Sequence, residues 1–528
     1  MISAVAGIAS LHTAIIQAHT ELTLAVKNAK IALVFYFINL ILQFFSRKIF
    51  LDYLGAEVLG LNTAAQNLLG FLNLAELGVG SAIAYTLYRP LFEKDIQAIN
   101  EIVSVQGWMY RKIACIVIVG ACVLMCFFPM IFQKADVPLW YAYGSFAVLL
   151  TSSLLGYFFN YRQIVLTADQ KEYKITQSVQ GLKVIKVIVQ ILAIRYLSHG
   201  YVYWLGLELL AAILTTIVLD RLIKSAYPWL HSLPSVGKKV RKKYQVIIIK
   251  TKQVFFHQIS FFVLSQTSPL VIYAYTSLTL VAIYGNYMLI MTGITSLINA
   301  LLNGVRAGVG NLVAEGDKKR IKAVFWELTS CRVWFASMVC FGLYLLSHSF
   351  IRLWIGEEYI LEQSAFVALV VITFIGLTRA NDAFLSAYGL FQDIWAPMIE
   401  AALNLGCSIL FGYYYGLAGI LWGVVVSLII VIVGWKPYFL YKRGFEDNIM
   451  EYVLYQFKCF GLIGVAVLVS YVVLACVYRG YQITTYGRWI GYALGVVIIY
   501  GVFSFLLFYV FDRGMRDFVS RIKRMFVN

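Results

Sequence analysis

Charged residues are scarce in this sequence. They make up 13% of its 528 residues, whereas they make up about a quarter of an ordinary soluble protein. Apolar residues account for 61% and aromatic residues for 16%, and the mean hydropathy is +0.79. This composition excludes a soluble globular protein. It predicts an all-α polytopic membrane protein, because helices satisfy their own backbone hydrogen bonds within a bilayer.

The sequence also lacks the short motifs of common enzyme sites. It contains no phosphate-binding P-loop, no His-Glu-x-x-His zinc motif and no Gly-x-Ser-x-Gly nucleophile motif. The eight cysteines lie in apolar segments without the spacing of a metal site or a disulfide framework. We therefore expect a transporter rather than an enzyme, with no catalytic residue, metal or cofactor.

Apolar segments long enough to span a bilayer, at about 20 residues each, number about fourteen. We predict two pseudo-symmetric six-helix lobes followed by two additional helices. The predicted divisions are an N-terminal extension (1–26), a first lobe (27–229), a cytoplasmic basic linker (230–250), a second lobe (251–444), and two further helices with a basic tail (445–528).

The distribution of basic residues predicts the orientation. Most of the 43 Lys and Arg residues fall in alternate connections and in the C-terminal tail, which the positive-inside rule places in the cytoplasm. Both termini and the linker are therefore expected to be cytoplasmic. The net charge of +17 indicates this orientation and an affinity for anionic membrane lipids, rather than a nucleic-acid partner.

An internal repeat relates the two lobes at an offset of 230 residues. The stretch Glu76–Ala84 (ELGVGSAIA) matches Arg306–Ala314 (RAGVGNLVA), with a carboxylate in one copy where the other has an arginine. Polar residues continue each match at helical spacing, so we expect each stripe to face a packed helix or a hydrated cavity rather than lipid. The stripes comprise Asn62, Gln66, Asn73, Glu76 and Gly80, and Thr292, Ser296, Asn303, Arg306 and Gly310.

Several charged residues fall within or at the ends of predicted spans, where a charge costs roughly 2.5 to 3.5 kcal/mol to insert. Lys183 and Lys186 are one turn apart on one helix and repel each other, so they require an anion, water or carboxylates nearby. An anionic ligand containing phosphate would suit both Lys and Arg. The candidate binding cations are Arg306, Lys183, Lys186, Arg47 and Arg379, and the candidate pairing or coupling carboxylates are Glu76, Asp382 and Glu400. Arg379 and Asp382 are three residues apart, a spacing that allows a local ion pair.

At four places the sequence resembles the Wzx-type polysaccharide flippases of the multidrug/oligosaccharidyl-lipid/polysaccharide (MOP) exporter superfamily. This superfamily also includes the MATE-type multidrug exporters and the lipid II flippase. The resemblance extends from about Lys27 to the end of the chain. It rests on Phe50–Asn62, the Glu-Leu-Gly-Val-Gly run, Tyr284–Tyr287 and Gly308–Asp317.

The resemblance implies a multi-pass protein of the cytoplasmic (inner) membrane that moves an undecaprenyl-pyrophosphate-linked oligosaccharide to the outer face. The pathway would be surface polysaccharide synthesis, such as that of the O-antigen of lipopolysaccharide. The resemblance also implies coupling to a proton or sodium gradient. The implied partners are the lipid-linked oligosaccharide, membrane lipids, a polysaccharide polymerase and the chain-length machinery. By analogy, Arg47 and Arg306 would be cavity cations.

Two alternatives remain at this point. A multidrug exporter of the same superfamily would bind organic cations through carboxylates. A membrane polymerase or glycosyltransferase would need an outward loop with paired acids. The best such loop runs from His348 to Glu362, contains the acids Glu357, Glu358 and Glu362, and is short.

Overall fold

A computed structural model of the chain shows that the described residues are almost entirely helical. The structure describes the backbone of residues 2–390, 393 and 395–527. It describes the side chains of residues 27–524 except 253, 256–261, 263–266, 299–308, 311, 314, 391, 392 and 394. No β-strand occurs in the described backbone, which confirms the predicted all-α membrane fold.

The chain divides into two compact units, Met1–Phe262 and Val263–Asn528. The helices that begin in the first unit are α1 (Ile2–Leu72), α2 (Val79–Glu93), α3 (Ile96–Cys126), α4 (Phe128–Ile131), α5 (Leu139–Phe158), α6 (Ile164–Ala168), α7 (Glu172–Tyr196), α8 (Gly200–Ala226), α9 (Pro234–Val240) and α10 (Gln245–Tyr275). The prediction for the extension 1–26 falls outside the described side chains.

The second unit contains the remaining helices. They are α11 (Leu278–Glu315), α12 (Lys318–Trp354), α13 (Gln363–Leu377), α14 (Asn381–Ala387), α15 (Trp395–Leu428), α16 (Lys436–Leu440), α17 (Met450–Val477), α18 (Tyr486–Phe511) and α19 (Arg513–Val527). Two π-helical segments, Ile429–Trp435 and Tyr441–Phe445, flank α16.

Eleven regions of the described chain are long and apolar enough to cross a membrane. Two of them, Lys27–Glu76 and Trp395–Phe445, each contain a glycine with non-helical backbone angles, Gly55 (φ 84°) and Gly416 (φ 56°). One helix ends and another begins at each glycine. Each of these two regions therefore counts as two long helices, and α10, whose side chains are only partly described, is one more. The number of long helices then agrees with the fourteen predicted.

The loops that follow the two copies of the predicted repeat end in the same local structure in each unit. Lys94 and Gly316 adopt the left-handed conformation, and the aspartate that follows each one caps the next helix. Asp95 accepts a hydrogen bond from Ala98 N at 2.9 Å, and Asp317 accepts from Lys319 N and Arg320 N at 3.0 and 3.1 Å. A short acidic side chain at this position satisfies free N–H groups of the first helical turn. The two loops therefore begin their helices in the same way.

The basic linker is packed against helix α3 of its own unit. Helix α9 lies on α3 so closely that a Cβ on Gly237 would stand 2.0 Å from Ser104 O. At the end of the linker, Glu101 accepts hydrogen bonds from Lys243 Nζ at 2.6 Å and Tyr244 Oη at 2.8 Å. The hydrogen bond to Glu101 raises the pKa of Lys243. The charges of the linker look like those of a flexible loop, but its glycine allows backbone contact that charge counting does not reveal.

The helix that bears Glu76 is interrupted, although the sequence stripe assumed one continuous helix. A 3₁₀ turn covers Asn73–Glu76, and Gly78 has φ 87°. A Cβ at Gly78 would also stand 2.8 Å from Thr251 O. Glu76 and Gly80 therefore do not share an unbroken helical face, because left-handed glycine changes the direction of the chain between them.

Candidate functional site

The two predicted lysines of the first unit lie on α7 and have different surroundings. Lys186 Nζ donates to Glu208 Oε1 of α8 at 2.7 Å, with the two side chains 16% and 21% exposed. Gln190 donates to the second oxygen of Glu208 at 3.0 Å. Lys183 is half-buried and has no ion pair among the described residues. The sequence required an anion, water or carboxylates near these lysines, and Glu208 is such a carboxylate for Lys186. Lys183 has none among the described residues, so the N–H donors of its ammonium group are available to a ligand.

Glu76 lies in a group of phenols and amides rather than beside a cation of its own unit. Tyr110 Oη donates to Glu76 Oε1 at 3.1 Å. One turn away, Asn73 accepts from Ser153 Oγ at 3.1 Å and from Tyr157 Oη at 2.9 Å. These bonds join the 3₁₀ turn to α3 and α5. In the first unit this part of the polar stripe therefore faces packed helices.

The two arginines that the resemblance implies as cavity cations are described to different extents. Arg47 is half-buried in the part of α1 that precedes the break at Gly55, three residues before the buried Phe50. The backbone of Arg306 lies within α11, and its side chain is outside the described residues. The roles of both arginines stay predictions.

In the second unit, Asp382 is bound by two cations. Arg379 Nε donates to Asp382 Oδ2 at 2.6 Å, so the ion pair predicted from their spacing is present. Lys436 Nζ donates to Asp382 Oδ1 at 2.8 Å. Helix α13 ends at Leu377 and α14 begins at Asn381, and this break places Arg379 in the short connection between them. The resulting cluster has one carboxylate for two cations.

The third predicted carboxylate, Glu400, is buried on α15 with 6% of its surface exposed. Asn404 and Ser408 follow it along the same face and are also buried. Ser408 Oγ donates to Ile420 O at 3.0 Å, across the hairpin that Gly416 creates. A Cβ on Gly423 would stand 2.5 Å from Ser408 N, so this small residue permits the close contact between the two halves of α15.

A cavity of about 470 Å³ lies beside the Asp382 cluster. Its walls are mainly aliphatic and aromatic, from α13, the π-helical segment Ile429–Trp435 and α17. Its polar lining includes Thr378, Arg379, Asn381 and Gln456. Asp382 engages Nε of Arg379, and no contact of the two terminal guanidinium nitrogens occurs among the described residues, so they remain as donors for a ligand. The cavity thus combines a large apolar wall with a cation that has free donors.

Sequence reasoning missed Glu208 and Lys436, which are the partners of predicted residues. A signal was present, since each is a charge inside an apolar run. Including them changes the charge balance: the described candidates become five cations (Arg47, Lys183, Lys186, Arg379, Lys436) and four carboxylates (Glu76, Glu208, Asp382, Glu400). Since one addition is a cation and the other a carboxylate, the cationic excess of the candidates predicted from the sequence is unchanged when Arg306 is counted with them. Among the described residues, no group of three or more His, Cys, Asp or Glu side chains is arranged to hold a metal ion.

The loop proposed for an enzymatic alternative does not bring its acids together as a pair free for catalysis. Glu357 is bound by Arg352 Nε at 2.7 Å, and Glu357–Tyr359 forms a 3₁₀ turn. Glu357 is therefore engaged by a cation and exposed to solvent, whereas the general acid of a glycosidase lies in an apolar pocket. This arrangement does not favour a glycosyltransferase or polymerase.

No protein-family model and no curated protein sequence matches the chain. Solved structures do. The lipid II flippase MurJ in an inward closed conformation matches with a TM-score of 0.62 at 15% identity, covering 91% of this chain and 99% of that chain. A MATE-family multidrug resistance transporter of the MOP superfamily, in an inward-facing conformation, matches with a TM-score of 0.57 at 15% identity, covering 78% of this chain and 97% of that chain. At this identity the likeness shows the fold, and the chain has the fold of the MOP-superfamily transporters, as its sequence resemblance implied.

Proposed function

We propose that this protein is a secondary transporter that moves an undecaprenyl-pyrophosphate-linked oligosaccharide from the inner to the outer face of the cytoplasmic membrane. The fold is that of proteins that flip or export substrates. The observation that carries the choice of substrate is the Arg379 cavity. Its apolar wall suits an isoprenoid chain, and a guanidinium with two unengaged nitrogens suits a pyrophosphate oxygen.

Lys183 supplies a second, independent cation for the substrate headgroup. It lies within a predicted membrane span without an ion-pair partner among the described residues. An uncompensated charge in a span is costly, and such residues commonly mark a substrate pathway. Arg306 would add a third cation, and its bidentate geometry would fit the pyrophosphate. Arg47 would be a further cavity cation at the end of the first span.

The carboxylates supply candidate sites for the coupling ion. Glu76 sits at a broken helix, where transporters often hold ions, and Glu400 is buried without a hydrogen bond to any described residue. Asp382 is held by two cations and is better suited to a pairing role. A proton or sodium gradient would drive the cycle through Glu76 or Glu400. A polysaccharide polymerase and chain-length proteins would use the exported unit.

The test is transport in proteoliposomes that contain an undecaprenyl-pyrophosphate-linked oligosaccharide. A lectin or glycosidase added outside reports the glycan that has crossed the bilayer. We expect transport by the native protein, and weaker transport by Arg306→Lys at normal abundance, because lysine keeps the charge but loses bidentate binding. Failure of the native protein to move the lipid-linked glycan would contradict the proposal. Normal transport by both Arg306→Lys and Arg306→Ala would remove Arg306 from the site.

A multidrug exporter is the second candidate, favoured by the structural similarity to a MATE-family transporter. It would need a carboxylate free to bind an organic cation, and Glu400 is the described residue that comes nearest to this. Efflux of a cationic dye that depends on Glu400, without transport of the glycolipid, would favour this candidate. The two cations on Asp382 do not favour it, because they would repel a cationic drug.

A further inference from the structure

A second cavity lies in the second unit, away from the charged cluster. It has a volume of about 550 Å³, within the range of about 300 to 1,000 Å³ typical of small-molecule sites. It is formed where α13 begins and where α15 turns back at Gly416. Its lining consists of Glu362, Ser364, Phe411, Tyr415, Trp422 and the small residues Ala418 and Gly419.

The position of this cavity is opposite the basic end of the unit. Helix α12 begins at Lys318 and runs to Trp354, and the loop after it leads to Glu362. From Gly416, the second half of α15 runs toward Lys442 and Arg443. Both directions place the cavity at the end of the unit that lies away from Lys318, Lys442 and Arg443. The predicted topology assigns that end to the outer face.

The tight turn at Gly416 creates the aromatic wall. A Cβ on Gly419 would stand 2.0 Å from Phe411 O, so the two halves of α15 approach closely. The rings of Phe411, Tyr415 and Trp422 border the same space, and Tyr415 is 72% exposed. Such rings present large, rigid apolar faces at a position open to water.

Apart from the indole N–H of Trp422, the polar side-chain groups of the cavity are oxygens. Trp422 Nε1 donates to Ser364 Oγ at 3.1 Å, which fixes both side chains and leaves the serine hydroxyl proton for another acceptor. Glu362 is exposed and carries acceptor oxygens, and the Tyr415 phenol can donate and accept. No Lys or Arg lines this cavity among the residues whose side chains the structure describes, so its described lining is not suited to phosphate.

We propose that this cavity is a carbohydrate subsite. Flat rings stack against the C–H faces of a pyranose, while acceptor and hydroxyl oxygens bind its hydroxyl groups. The inference rests on the proposed function and deepens it, since the sugar of the lipid-linked substrate would contact this cavity on the outer side. Aromatic rings beside a carboxylate also suit an organic cation. A neutral sugar is favoured over a cation because the hydroxyl groups of Ser364 and Tyr415 can bind its hydroxyls and because Glu362 is exposed to water.

The experiment uses the purified full-length protein in nanodiscs. Glucose, galactose, N-acetylglucosamine and maltotriose are the probes at millimolar concentrations, and saturation-transfer difference NMR measures binding. We expect binding of at least one sugar to the native protein and a loss of about fivefold or more in Trp422→Leu and Tyr415→Leu. Glu362→Gln tests the acceptor without altering a packed side chain.

Tyr414→Leu is the matched control, because Tyr414 is 69% exposed on the same turn but does not line the cavity. An equal loss in Tyr414→Leu would overturn the proposal and leave the tyrosines as membrane-interface anchors. Absence of sugar binding would overturn it, as would Glu362-dependent binding of tetramethylammonium in place of sugars. Glycolipid transport is measured separately. Transport without sugar binding overturns only the subsite, and sugar binding without transport overturns only the proposed function.

Discussion

Lys186 and Glu208 form an ion pair between α7 and α8, with Nζ 2.7 Å from Oε1. The pair makes Lys186 part of the packing between two helices, whereas Lys183, one turn earlier, has no such partner among the described residues. Two lysines that look equivalent in sequence therefore have different expected roles. The first two predictions separate them.

Removing Lys186 should destabilise the protein. In Lys186→Ala, Glu208 would keep only Gln190 as a side-chain donor, at a cost of roughly 1 to 3 kcal/mol for a partly buried carboxylate. The double variant Lys186→Ala/Glu208→Gln should recover most of this loss, because no uncompensated charge remains. Thermal unfolding in detergent measures both effects. An unchanged Tm in Lys186→Ala would contradict a stabilising role for the pair.

Removing Lys183 should affect transport instead of stability. We expect Lys183→Ala to retain the native Tm and to lower glycolipid transport by about tenfold, since a hydrogen bond to a charged group is worth roughly 1.5 to 3 kcal/mol. Arg195→Ala is the control, because Arg195 is an exposed cation at the C-terminal end of the same helix. Equal transport by the two variants would contradict a role for Lys183 in binding the substrate.

The Asp382 cluster should respond asymmetrically to mutation. Asp382→Asn removes the one carboxylate in direct contact with both Arg379 and Lys436 and should cost roughly 3 kcal/mol. Arg379→Ala should cost less, because Lys436 still pairs with Asp382, yet it removes the cation that lines the 470 Å³ cavity. Denaturation and transport are measured on both variants. A larger loss of stability in Arg379→Ala than in Asp382→Asn would show that the carboxylate is not the centre of the cluster.

Gly237→Ala should detach the linker from α3. Its Cβ would stand 2.0 Å from Ser104 O, a backbone atom that cannot move aside cheaply, so we expect a loss of roughly 1 to 3 kcal/mol. Limited trypsin digestion at Lys238–Lys243 should become faster. The control is Gly181→Ala in α7, where nothing lies within 4 Å of the added Cβ and alanine favours the helix. Equal cleavage of the two variants would contradict the packed linker.

Gly416→Ala should strain the hairpin of α15. The backbone angles of Gly416, φ 56° and ψ −135°, are unfavourable for a residue with a Cβ and should cost roughly 1 to 3 kcal/mol. Gly406→Ala is the control, since no atom lies near its added Cβ. The two Tm values compare them directly. If Gly416→Ala were as stable as Gly406→Ala, the turn would tolerate another backbone conformation.

The sequence predicted the spans because hydropathy over about 20 residues is a local property that the bilayer imposes on each helix. It predicted the Arg379–Asp382 pair for a similar reason, since three residues of separation place the side chains together. The partners Glu208 and Lys436 lie on other helices. Their contacts depend on how each helix is rotated about its axis, which no local pattern determines.

The break at Gly78 escaped prediction for a different reason. The run Glu76–Ala84 has the apolar periodicity of a helix, and glycine is common in spans. Only the close approach of Thr251 O, 2.8 Å from an added Cβ, and the positive φ explain why glycine is needed there. The second copy of the repeat does not share this break, because α11 runs as one helix from Leu278 to Glu315 through the equivalent positions.

The π-helical segment Ile429–Trp435 determines the direction in which Lys436 points. A π turn accommodates one more residue than an α turn, and each residue of an α-helix advances by roughly 100°. The residues after Trp435 are therefore rotated about the helix axis by about 100° relative to their positions in a regular α-helix that begins at the same residue. Deleting one residue from the segment would therefore restore a regular helix and keep Lys436 on the side of Asp382. A change that made the full-length segment α-helical would instead turn Lys436 away from Asp382, while leaving the composition and hydropathy of the span almost unchanged.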